Sequence, residues 1–211
     1  MPHIILCVFA CLLTFNVVAD DTVWEKVYSE GDTTAYVGKD DKTGLTQCKV
    51  ETVTSASVDA LVALNTDYQN LANWMETAIA VEQLQFNAPN DYVLHFIWDS
   101  PWPVKDRESV THSRLSRNND GSVSLKFVSE NDLLATTEAR VRIPLVEGFW
   151  HFIPQDSGGT KVVYQSMVDP GGDVPLWLVN LTVTEAPFKT VLNMHEQLQQ
   201  EKYRTAVIDW L

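Results

Sequence analysis

The chain has 211 residues, 45% hydrophobic and 20% charged, an ordinary globular composition that excludes a disordered, collagenous or low-complexity chain. Lys and Arg number 15 against 28 Asp and Glu, a formal charge of −13 that argues against binding nucleic acid through charge alone. Residues 1–19 contain no Asp, Glu, Lys or Arg, so residues 20–211 carry all of that charge, and a segment of this length ordinarily folds as one domain.

From Ile4 to Val18 the sequence is almost wholly apolar, and it ends at Ala19 before Asp20-Asp21. The run is shorter than the roughly 20 residues of a membrane span. Val17 and Ala19 suit the positions before a cleavage site, so residues 1–19 are expected to be a signal peptide and the mature chain to start at Asp20, secreted or periplasmic. Met1-Pro2-His3 lacks the usual basic residue, which keeps a retained anchor as the alternative; a lipoprotein site at Cys11 is disfavoured by bulky Phe9. Cys7 and Cys11 would leave with the leader. Cys48 would then be alone, unable to form an internal disulfide. It alternates with Thr46, Val50 and Thr52 on a predicted strand, which reads as a buried, inert thiol.

Ser57 precedes Val58, Leu61, Val62 and Leu64 at helical spacing and is a plausible N-cap. A second short helix is predicted over Tyr68 to Trp74. After Glu76 the period becomes two, as in Tyr92, Leu94, Phe96 and Trp98, and again in Val123, Leu125 and Phe127. Asn118-Asn119-Asp120-Gly121 and Ser157-Gly158-Gly159 supply turns between such segments. Five strands from Ile79 to Val168 are expected to run as an antiparallel meander, with a sixth over Thr136 to Ile143. From Val174 the pattern is helical, with Leu176, Val179, Val183, Val191, Met194 and Leu198 in one stripe that Pro187 must kink or interrupt. The layout is α+β, and a last helix laid on a curved sheet tends to leave a cavity between them.

The predicted strand Val104 to Leu115 is polar on both faces: Lys105, Arg107, Ser109, Thr111 and Ser113 on one, Asp106, Glu108, His112 and Arg114 on the other. Such a strand lies at an edge or lines a hydrated pocket. On Thr136 to Ile143 the row Glu138, Arg140 and Arg142 reads as a solvated face. Its functional alternative turns Arg107 or Arg142 inward, paired with Glu108 or Glu138, to meet a ligand's polar group. Trp98, Trp150, Tyr164 and Trp177 read mainly as core aromatics. Trp102, in the Pro-flanked loop after Trp98, suits a rim that touches a ligand or a membrane interface. His95 and His151 read as hydrogen-bonded core residues. His195-Glu196 opens a zinc-protease motif whose second His is replaced by Gln199, and Asp169 and Asp173 flank a Gly171-Gly172 turn with too few ligands around them, so neither metal nor cofactor is expected.

Trp102-Pro103-Val104-Lys105-Asp106-Arg107-Glu108 and Asp169-Pro170-Gly171-Gly172-Asp173-Val174-Pro175-Leu176-Trp177-Leu178-Val179-Asn180 resemble the START (steroidogenic acute regulatory protein-related lipid transfer) domain. Val141-Arg142, Gly148-Phe149-Trp150, Pro154 and Asn73-Trp74 are similar to it in order, over about residues 24 to 205. The resemblance implies a helix-grip fold, a curved antiparallel sheet wrapped around a long C-terminal helix, with one lipid (sterol, fatty acid or phospholipid) in an internal tunnel. It implies lipid transfer with transient membrane contact and no catalysis. Arg107 and Arg142 would then be polar or structural groups near the tunnel, Trp102 would sit in a gating loop, and Trp177 to Asn180 would open the lid helix. Trp98, Trp102, Arg107, Arg142, Trp150, Tyr164, Trp177 and Asn180 are the resulting ligand-binding candidates. The rival reading is a helix-grip enzyme, a polyketide cyclase or hydrolase, using His112, Glu108 or Tyr164 as acid and base.

Overall fold

The computed structural model describes residues 22–211 except Asp173, together with all their side chains but that of Leu176. The expected leader, with Cys7 and Cys11, lies outside the described residues, as does Asp173 of the Gly-Gly turn.

The strands are β1 (Glu25–Glu30), β2 (Thr33–Lys39), β3 (Thr46–Thr54), β4 (Ala78–Ala88), β5 (Asp91–Trp98), β6 (Arg107–Arg117), β7 (Val123–Ser129), β8 (Val141–Arg142), β9 (Leu145–Pro154) and β10 (Thr160–Asp169). They form one ten-stranded sheet in the order β1-β2-β3-β10-β9-β7-β6-β5-β4, with β8 beside β6. Every pairing is antiparallel except β8 with β6. The edge pairings are irregular: the register shifts between Lys26 and Tyr28 in β1 and three times along β4. At the β9–β10 turn Gly159 has φ +79°, and a Cβ there would stand 2.3 Å from the Thr54 carbonyl oxygen, so only glycine fits.

Helix α1 (Val58–Thr66) begins where Ser57 Oγ accepts the Ala60 N–H at 3.1 Å, and it buries Leu61, Val62 and Leu64. A 3₁₀ turn follows over Tyr68–Asn73. At the far end of the chain α2 (Leu176–Asn180) runs into a π-helical turn (Leu181–Glu185) and then α3 (Ala186–Gln197); a last turn, α4, spans Glu201–Arg204. Pro187 explains the π turn. It has no N–H for the Val183 carbonyl, and its ring would clash there in a regular α-helix, so the turn ahead of it widens. α3 packs on β2, β3 and β10, while α1 packs on β9 and α4. Val50, Leu61, Trp74, Phe152, Val191 and Met194 close the core between sheet and helices.

This is the helix-grip fold, with several corrections to the sequence reading. The strand predicted from Val104 starts at Arg107 and runs to Arg117, because Pro101 to Val104 form a turn with Val104 N–H on the Pro101 carbonyl. It is a central strand, so its two polar faces do not mark an edge. Thr136 to Ile143 shrinks to Val141–Arg142. β7 occupies the edge of β6 from Thr111 to Arg117, leaving only the stretch at Arg107 and Glu108 for another neighbour. Six long strands, not five, cover Ala78 to Asp169. Strands β1 and β2 are additional; β1 is exposed along its whole length and shows no alternation to read. Cys48 is fully buried, and burial pushes its thiol up to about 12, in keeping with an inert role. His95 Nδ1 and His151 Nε2 are buried without hydrogen-bond partners, so these histidines are not the fully satisfied pair that was expected.

Candidate functional site

A cavity of about 140 Å³ lies between the helix-bearing face of the sheet and the C-terminal helices. Strand period two builds its wall. β5 contributes Leu94, Phe96 and Trp98; β6 contributes Arg107, Ser109, Thr111 and Ser113. The antiparallel register sets Trp98 beside Arg107, Phe96 beside Ser109 and Leu94 beside Thr111, so a largely apolar row runs alongside a polar one. Trp98 Nε1 donates to Ser109 Oγ at 3.0 Å, and Phe96 stacks on Trp98 with centroids 5.0 Å apart. Deeper in, Trp150 stacks on Tyr164 at 4.3 Å and meets the edge of Trp74 at 6.1 Å. Burial pushes the Tyr164 hydroxyl up to about 12, outweighing its hydrogen bond with Ser166.

The C-terminal helices are tied down at one end. Thr190 Oγ1 on α3 accepts the Glu76 N–H at 2.9 Å, and Asn193 Nδ2 donates to the Trp74 carbonyl at 3.0 Å. Next to these, Thr77 is held at φ 66°, a left-handed conformation that is strained for a β-branched residue, and it lines the cavity. Apart from Trp74, these positions were not singled out in the sequence reading. The partners lie more than a hundred residues apart, and no local pattern marks such a contact.

The candidates named from the sequence fall in three places. Trp98, Arg107, Trp150 and Tyr164 line the cavity. Trp102 stands 91% exposed in the loop that follows the cavity-lining Asp99 and Ser100. Trp177 and Asn180 are on the exposed side of α2, outside the lining. Arg142 also lies outside the lining. Its Nε and Nη2 donate to Glu108 Oε1 at 3.1 and 2.8 Å, and Nη1 donates to the carbonyls of Asn131 and Leu134. Arg142 thereby ties the loop carbonyls of Asn131 and Leu134 to Glu108 on β6. Glu108 also receives His95, Nε2 to Oε2 3.1 Å. Burial of the Glu108 carboxyl is outweighed by the hydrogen bonds from Arg142 and His95, which hold it below its ordinary value of 4.5. The solvated-face reading fails for Arg142, whose side chain is 8% exposed; its alternative holds in the Arg142–Glu108 pairing but not in an inward Arg142.

Arg107 lies on the opposite face of β6 from Glu108. It is 5% exposed, its Nη1 donates to the Lys105 carbonyl, and its Nε is buried without a partner. Of the acid–base candidates, Glu108 faces away from the cavity, and His112 stands on that same outer face, 2.7 Å from Asp91 Oδ1. Among the described residues no group of three or more His, Cys, Asp or Glu could hold a metal ion, and no helix is long and apolar enough to cross a membrane.

A START domain family model matches residues 10–204. The chain belongs to the START domain family. A solved STAR-related lipid transfer protein from Xanthomonas axonopodis is 29% identical to this START domain, with a TM-score of 0.76 over 84% of this chain and 99% of that one. Human StAR-related lipid transfer protein 5 shares the fold at 15% identity, TM-score 0.73, over 84% of this chain and 86% of that one. An uncharacterized protein of Pseudomonas aeruginosa is 25% identical over 185 residues, 88% of this chain and 90% of the relative. The START fold is thus a lipid-binding fold with its cavity in the place the sequence resemblance implied.

Proposed function

We propose that this START domain takes up one hydrophobic lipid in the cavity and carries it between membranes, without catalysis, in the periplasm or outside the cell. The observation that carries this reading is the cavity wall of Leu94, Phe96, Trp98 and Trp150 under a lid helix that a π turn divides. Burying a hydrocarbon there contributes about 0.8 kcal/mol per methylene. The cavity is close in size to one that holds a benzene ring, so a lipid enters only if the lid moves outward. α3 is tied to Trp74 and Glu76, whereas α2 presents Trp177 to solvent. The moving part is therefore α2, pivoting at the π turn. Exposed Trp102 beside the mouth gives a membrane interface its contact, and the acidic surface keeps that contact brief. Support for a carrier over an enzyme comes from the lining: among His112, Glu108 and Tyr164 only Tyr164 reaches the cavity, and a hydroxyl titrating near 12 is a poor acid or base at neutral pH.

Native mass spectrometry of the purified chain, followed by solvent extraction, tests the reading. A stoichiometric co-purifying lipid and transfer of a labelled lipid between vesicles are the expected results. A protein that neither retains nor accepts any lipid would overturn the carrier reading.

A further inference from the structure

We infer that the lipid is an anionic amphiphile, a carboxylate or a phosphate monoester, whose head group is bound inside the cavity by the guanidinium of Arg107. The inference rests on the carrier reading and narrows it. Arg107 is a cavity-lining cation with 5% exposure, one hydrogen bond to a main-chain carbonyl and a buried Nε that meets no acceptor. Among the described residues no ion pair reaches it. The carboxylates that share the lining are placed elsewhere: Asp99 is exposed, and Glu76 faces Lys189 at 3.8 Å and Asn193 at 3.4 Å. Neighbouring Asp106 has its Oδ1 on the Ser100 N–H, 3.1 Å away, and acts on Arg107 only through the field.

A buried guanidinium with free donors calls for an anion, and its planar fork matches two oxygens of a carboxylate or phosphate. The next inward residue on β6 supports the same chemistry. Ser109 Oγ already accepts Trp98 Nε1, which leaves its own O–H to donate. It sits two residues, about 7 Å, along the strand from Arg107, so donors follow the ligand from head toward chain. Phe96 and Leu94 then continue the wall in apolar contact. A sterol hydroxyl or a neutral ester leaves the charge uncompensated.

The test uses the full chain and three probes with the same sixteen-carbon tail: palmitate, hexadecyl phosphate and hexadecanol. Wild-type protein at pH 7.5 is expected to bind at least one anion about tenfold or more tighter than the alcohol. Whichever anion is preferred assigns the head group to carboxylate or phosphate. Arg107→Met is expected to erase the advantage of the anions over hexadecanol, and Arg107→Lys, which keeps charge but loses the fork, to retain part of it. Equal binding of alcohol and both anions by the wild type would overturn the anion assignment and leave the carrier reading standing. Failure to bind any of the three would overturn the anion assignment, and the carrier reading falls with it only if the chain also retains no co-purifying lipid and accepts none from vesicles. The wild-type comparison needs no variant to fold.

Discussion

Arg107 and Arg142 come from adjoining strands, where Val141 stands opposite Arg107 and Arg142 opposite Glu108, and both side chains are nearly sealed from solvent. Arg142 has spent its donors on Glu108 and on loop carbonyls; Arg107 has spent one on the main chain and keeps its Nε unpaired. One face of β6 is therefore closed by its own charges, while the other is open to a charge from outside. Depth of burial does not separate the two arginines. Their partner lists do, and that contrast distinguishes a group that holds the fold from a group available to a ligand.

The largest effect is expected from Arg142→Met. It strands a buried carboxylate and frees the 131–143 loop, and should cost about 3–5 kcal/mol in urea denaturation. Next comes acid. Because the folded pKa of Glu108 is held below 4.5, its contribution is intact above pH 4.5 and is lost as pH falls through the depressed folded value. Thermal melts stepped from pH 6 downward should show that loss, and Glu108→Gln should flatten it. Arg107→Met is expected to act in the opposite direction to Arg142→Met, raising stability by about 1 kcal/mol, since an apolar chain replaces an under-partnered cation in an apolar wall. Equal destabilisation by the two Met variants would break the comparison. Trp102→Ala should shift stability by less than about 0.5 kcal/mol yet slow lipid exchange with vesicles; unchanged exchange would remove Trp102 from the gate.

Features with local chemistry were legible in the sequence. The Ser57 cap, the Gly159 turn, the period-two rows of β5 and β7 and the interruption at Pro187 each depend on a few adjacent residues. What failed depends on partners far along the chain. Thr137, Ala139, Val141 and Ile143 alternate as a strand should, but only Val141 and Arg142 pair with β6, whose edge β7 holds from Thr111 onward. The C-terminal helix misled for a different reason. A π turn admits an extra residue and rotates the helix before it by about 100° relative to the helix after it. A single stripe read through both halves picks Val179, whereas the fully buried residue is Leu178, and Trp177 and Asn180 turn outward. Within the site, the aromatic wall and Arg107 could be read from alternation on strands. The orientation of Arg142 could not, since it is fixed by carbonyls at Asn131 and Leu134 that a loop brings around.

The ten-stranded sheet ends in two outer strands, β1 and β4, and both pair irregularly with their inner neighbours. An outer strand offers unpaired main-chain groups along its length, and a straight one invites another chain to add on. β4 carries Ile79, Leu84 and Phe86 in exposed positions, the composition most prone to such growth. Its three register shifts bend and twist the strand so that a flat copy cannot follow it. Straightening β4, by deleting the extra residues Ile79, Leu84 and Asn87 at the three shifts, would thus turn this outer strand into a template for intermolecular sheet extension.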